Sequence, residues 1–101
     1  MSKTVTKLVE VATTNIYNRD KQYSLREVFI NPDFVVSLMP DTNMNRLLQE
    51  GSLPDGLDKR QQFTRVLMHK GNAGLEMTVV GNIESIRDKL FSNGASTLLK
   101  G

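Results

Sequence analysis

The stretch Arg26–Met39, REVFINPDFVVSLM, constrains the fold most: two β-rich runs are separated only by Asn31-Pro32-Asp33. Phe29 and Ile30 close the first run, and Phe34, Val36 and Leu38 alternate along the second. Proline locks φ and removes a ladder donor, so two strands that meet at Pro32 must bend or change direction there. A small sheet begins to curl at such a point. The pattern predicts a compact, mainly β module.

The rest of the chain extends that reading. Thr4–Ala12 reads as the first strand, with Val5, Val9 and Val11 on one face and Leu8 on the other. Thr13–Gln22 is polar and turn-prone, an exposed connection. Tyr23–Asn31 and Phe34–Met39 are the second and third strands. Pro40–Arg60 differs in texture and reads as an insertion. Within it Asp41–Gly51 predicts a short helix: Asp41 as N-cap, Met44, Leu47 and Leu48 as the apolar stripe, Gly51 as the stop. An insertion with its own apolar face must cover something, either a barrel mouth or a neighbouring subunit. Phe63–His69 and Leu75–Gly81 form a hairpin, with Leu75, Met77 and Val79 on one side. Asn82 then caps a helix over Ile83–Ser92 whose apolar positions are Ile83, Ile86 and Leu90. Leu98-Leu99 in the tail dock on a neighbour or fray.

Five strands in a chain of 101 residues hide their edges best by curling. The expected fold is therefore a single domain, 1–101: a strongly bent, five-stranded, Sm-like or SH3-like barrel with a C-terminal helix and a short helical insertion. Open edges on such a barrel favour a homo-oligomer formed by strand pairing.

Charge is uneven along the chain. Residues 1–26 balance at +3, residues 27–58 at −5 and residues 59–101 at +4, within a net charge of +2. Faces of opposite sign suit a polyanion partner or head-to-tail self-association, and solvated surface charge is the plainer alternative. No stretch approaches the roughly 20 apolar residues of a membrane span. The N-terminus lacks the apolar block of a signal peptide, and the chain has no cysteine, so a cytoplasmic location is expected.

Chemistry-bearing motifs are scarce. His69 is the only histidine, and no carboxylate or hydroxyl is placed with it by sequence. Asp55 with Asp58 and Glu84 with Asp88 are ordinary spacings that offer a metal too few oxygens. Gly71, Gly74 and Gly81 do not form a phosphate loop. The expectation is a non-enzymatic protein with no metal and no cofactor. For single-stranded nucleic acid the candidates are Lys59, Arg60, Arg65 and Lys70, with Phe63, Tyr23 and Phe29 as stacking surfaces.

Two segments carry a family resemblance. Asp41-Thr42-Asn43-Met44-Asn45-Arg46-Leu47-Leu48 resembles the first motif of Sm and Sm-like (LSm) proteins, and Val79-Val80-Gly81-Asn82-Ile83 resembles their second. Val80 stands where that family has arginine, and the helix here follows the strands instead of preceding them. The resemblance implies a bent five-stranded barrel, ring assembly by strand pairing, and single-stranded RNA contacts at Asp41, Asn45, Gly81 and Asn82. KLVEV, VFINPDFVVSLMPDT and the late Ile-Glu-Ser-Ile helix also look similar, in order, to short flagellar FlbD-like (SwrD-like) proteins. The overall texture resembles small proteins of marine T4-type phages. Either of these implies a protein–protein adaptor, whose acidic middle segment would dock a partner.

Overall fold

The computed structural model describes residues 5–14 and 22–91. Most of the polar connection between the first two strands, Leu98-Leu99 and Ser92 at the helix end lie outside the described residues. The elements are β1 (Thr6–Thr14), β2 (Gln22–Ile30), a 3-10 turn (Pro32–Phe34), β3 (Val35–Pro40), α1 (Thr42–Gln49), β4 (Phe63–Lys70), β5 (Ala73–Val80) and α2 (Ile83–Phe91). The strands form one five-stranded antiparallel sheet in the order β2-β1-β5-β4-β3.

The two edge strands, β2 and β3, are consecutive in the chain. In a flat sheet, four steps of about 4.8 Å would hold them roughly 19 Å apart. The five steps from Ile30 to Val35 span at most about 18 Å when fully extended. The connection is far from extended: the Asn31 side chain accepts from the Asp33 N–H at 2.9 Å, and the Phe34 N–H donates to the Asn31 carbonyl at 3.0 Å. The sheet must therefore curl at this end, as the proline break predicts.

Curling stops short of closure. β2 and β3 are the sheet's two edges and do not pair with each other, so the five-stranded sheet is open along that side. The pairing of β3 with β4 shifts between Val35 and Ser37, which leaves Val36 as a bulge. A bulge bends its strand and interrupts pairing. It also corrects the expected alternation of Phe34, Val36 and Leu38. Phe34 belongs to the 3-10 turn and Val36 is 59% exposed, while Val35 and Leu38 are the residues packed on the core.

The sheet is covered on both faces. On one, Leu8, Ile30, Val66 and Val79 pack beneath Ile86 and Leu90 of α2. On the other, Val11 and Phe63 pack beneath Met44 and Leu48 of α1, with Leu53 from the segment after it. Leu8 and Val11 thus serve different cores, as expected for side chains of opposite parity on one strand. The insertion covers a face of its own sheet.

Local signals explain both helices. Asp41 caps α1, its Oδ1 accepting from the Met44 N–H at 3.0 Å. At the other end the Ser52 N–H donates to the Leu47 carbonyl and the Gly51 N–H to the Leu48 carbonyl, with Gly51 at φ +81°. That is a Schellman closure, which needs the left-handed residue glycine supplies. Asn82 caps α2 by accepting from the Ser85 N–H at 2.8 Å. The β4–β5 hairpin turns on two residues, Gly71 and Asn72, with φ positive at Gly71 alone. This fits a type II′ turn and is tighter than the five-residue loop that the sequence suggests.

Candidate nucleic-acid interface

The sequence-derived site residues fall into two groups with different surroundings. The first gathers around residues 58–62, the chain that leads into β4. Asn45 donates from Nδ2 to the Gln61 carbonyl at 2.7 Å, and Gln49 donates to the Lys59 carbonyl at 2.7 Å, so α1 holds this segment in place. The Gly81 N–H donates to the Gln62 carbonyl at 2.9 Å, which brings the start of α2 alongside. Asp58, Arg60, Gln61, Gln62 and Asn82 then line an open recess of about 370 Å³. Lys59 and Arg60 are exposed.

Arg60 is not free to act as a bare cation. Its Nε and Nη2 each lie 3.3 Å from one of the two Asp58 carboxylate oxygens, and its backbone N–H donates to Oδ1 at 2.8 Å. The guanidinium first, and that backbone N–H second, hold the Asp58 carboxyl below its ordinary range. The recess thus offers carboxamides, a guanidinium edge and one carboxylate.

The second group is interior. Asp41 is 4% exposed. Its Oδ2 accepts from the Thr78 hydroxyl at 2.6 Å and its Oδ1 lies 3.7 Å from Arg65 Nη2. Arg65 also lies 3.8 Å from Glu76. This carboxylate ties α1 to β4 and β5, with each of its two oxygens engaged by its own chain. Gly81 likewise has a packing reason: at φ +133°, a Cβ there would meet Ile86 Cδ1 at 2.9 Å. Its carbonyl accepts from the buried Thr64 hydroxyl at 2.9 Å.

The aromatic candidates separate. Phe63 is 1% exposed and belongs to the core beneath α1, which corrects its reading as a stacking surface: no base can reach it. Tyr23 is half-buried against the same core. Phe29 is 66% exposed, but it sits on β2, separated from β4 by β1 and β5. Lys70 ends β4, away from the recess end of that strand at Phe63. His69 is exposed next to it.

Every arginine among the described residues has an acidic neighbour: Arg26 with Glu10, Arg46 with Glu50, Arg60 with Asp58, Arg65 with Asp41 and Glu76, and Arg87 with Asp88. Such pairs flatten the positive field that a polyanion would follow. Sequence reasoning missed Gln61 and Gln62 in the recess and Thr78 in the interior network. The Gln-Gln pair just before an apolar strand was a visible polar signal, whereas Thr78 becomes informative only once β5 is set against α1.

Among the described residues no group of three or more histidine, aspartate or glutamate side chains is placed to hold a metal ion. No helix among them is long and apolar enough to cross a membrane. An apolar groove of about 530 Å³ is lined by Val5, Phe29, Phe34, Leu75, Met68 and Met77. Comparison with known proteins finds no family model that matches the chain, and no curated protein or solved structure similar to it.

Proposed function

We propose that the protein is a non-enzymatic binding module that assembles with copies of itself through β2. The observation that carries this reading is the state of that strand. β2 pairs along all nine residues with β1 on one side and, among the described residues, with no strand on the other. It has no proline and no bulge, and it exposes Leu25 (38%) and Phe29 (66%). The opposite edge is blunted, with a bulge at Val36 and Pro40 at its end. A long, regular edge with apolar side chains is a template for another strand, and a strand that meets its own copy forms a two-fold interface. In this reading the curled sheet is a small bent barrel, opened between β2 and β3, of the kind that the Sm-like resemblance implies, in a cytoplasmic protein. Light scattering on a sizing column tests it. The wild type should give a multiple of 11.3 kDa, and Leu25→Lys with Phe29→Lys should give the monomer. A wild-type monomer at all concentrations would remove the proposal.

Single-stranded RNA is the second reading, favoured by the recess at Arg60, Gln61, Gln62 and Asn82. Carboxamides and a guanidinium are the groups that read the edges and stack on the faces of unpaired bases. Filter binding to oligo(U) and oligo(A) tests it: affinity should fall steeply with salt and with Lys59→Glu or Arg60→Glu. Binding that ignores salt, or no binding, would count against it. The adaptor reading, of phage or flagellar type, draws less support. The acidic middle on which it rests has Asp41, Glu50 and Asp58 engaged by Arg65, Arg46 and Arg60 of the same chain.

A further inference from the structure

A strand that pairs with its own copy has few ways to do so. In an antiparallel two-fold pairing that continues the sheet, opposite residues project on the same face, so one residue lies on the axis and the rest pair at equal distances from it. The faces of β2 differ. Tyr23, Leu25, Glu27 and Phe29 alternate on the face that Val11 of β1 presents to α1, while Arg26 lies on the other face with Glu10. Both large apolar side chains that this edge exposes, Leu25 at 38% and Phe29 at 66%, are therefore on one face.

Each axis treats these two side chains differently. With Leu25 on the axis, Phe29 lies past the end of the second copy's strand at Gln22. With Val28 on the axis, Leu25 passes the other end at Ile30 and Phe29 meets Glu27. With Arg26 on the axis, two guanidiniums face each other, which is unfavourable, and Leu25 meets Glu27. Axes nearer either end shorten the pairing. Leu25 and Phe29 are equally distant from Glu27, so an axis through Glu27 sets Leu25 opposite Phe29 twice, with the strands paired from Ser24 to Ile30. Apolar and aromatic cross-strand pairs of this kind stabilise a sheet.

That register also brings two Glu27 carboxylates together, and the chain carries their counter-charge. Lys7 Nζ reaches Glu27 Oε2 at 3.5 Å from β1, on the same face. Two such pairs make the centre of the joint neutral. The side chains are 55% and 63% exposed, so water and salt screen what repulsion remains.

We infer that two copies pair in this register: Glu27 on the two-fold axis, Leu25 of each copy against Phe29 of the other, and Lys7 of each as counter-ion to the axial carboxylates. The inference rests on self-association through β2, and its test tells the failure of one from the failure of the other.

The chain has no cysteine, so single cysteines report the axis by oxidative cross-linking of the full chain. Opposite residues lie about 4.5–5.5 Å apart between Cα atoms, within disulfide reach, whereas a residue one place off the axis lies more than about 7 Å from its own copy. Glu27→Cys should cross-link at least about tenfold faster than Leu25→Cys, Arg26→Cys or Val28→Cys. In an equimolar mixture of isotope-labelled wild type and Glu27→Lys, opposite charges meet on the axis only in the mixed dimer. Native mass spectrometry should find that dimer in excess of the statistical half. Lys7→Gln should weaken association about two- to fivefold; unchanged affinity removes Lys7 from the joint. Lys7 and Glu27 are exposed, so these variants should keep the wild-type circular dichroism spectrum. Faster cross-linking at one of the other three positions, or a mixed dimer at the statistical share, overturns this register and leaves pairing through β2 standing. A wild type that stays monomeric, or a dimer in which none of the four cysteines cross-links, overturns both.

Discussion

Asp41→Ala should be among the most damaging single changes outside the apolar core. The carboxylate caps α1 through the Met44 N–H, accepts the Thr78 hydroxyl at 2.6 Å and faces Arg65 at 3.7 Å, all at 4% exposure. Loss of an N-cap costs about 1 kcal/mol. Loss of a hydrogen bond to a charged acceptor costs about 1.5–3 kcal/mol, and the Thr78 hydroxyl is then left without its acceptor. The expected destabilisation is roughly 2.5–4 kcal/mol, a large share of the 5–15 kcal/mol typical of a domain. Urea unfolding followed by far-ultraviolet circular dichroism would read it. Thr78→Val removes one of the same contacts and should cost about 1–2 kcal/mol. The double variant should cost less than the two singles added, by about 1 kcal/mol, because they share a bond. A stability within about 0.5 kcal/mol of wild type for Asp41→Ala, or strict additivity, would refute the network as described.

Gly81→Ala should lose about 2–4 kcal/mol, since it strains a positive φ and drives a methyl against Ile86; wild-type stability would show that this turn relaxes freely. Phe63→Ala should cost about 3–5 kcal/mol from a fully buried site. Phe29→Ala should change monomer stability by no more than about 0.5 kcal/mol while weakening self-association. Equal effects of the two would contradict the assignment of one ring to the core and the other to the surface. The Asp58 carboxyl should titrate below the ordinary range and move up in Arg60→Gln, read by NMR. With the folded value depressed, its contribution is fully present above the unfolded carboxylate pKa of about 3.9 and is lost as pH falls through the folded value.

Much of the fold was legible because its signals are local. Asp41 and Gly51 bracket α1, Asn82 opens α2, and Pro32 marks the turn between β2 and β3, each through a backbone requirement of its own position. What the sequence misled on depends on partners distant in the chain. The bulge that exposes Val36 is set by register against β4. Phe63 and Phe29 look alike in sequence, but one strand is central under α1 and the other is an edge. The same holds for the candidate site. Asp41, Asn45, Gly81 and Asn82 share motif positions in the sequence, yet each makes a bond that holds its own fold.

Self-association through β2 is tested most directly by amide hydrogen exchange on that strand, resolved by residue with NMR at low and high protein concentration. In a lone chain, alternate amides of Gln22–Ile30 point away from β1 and should exchange rapidly. Assembly through β2 predicts that these outward amides become protected as concentration rises, while those bonded to β1 change little. Outward amides that exchange rapidly at every concentration, in a protein whose mass nevertheless exceeds 11.3 kDa, would mean that the copies meet elsewhere.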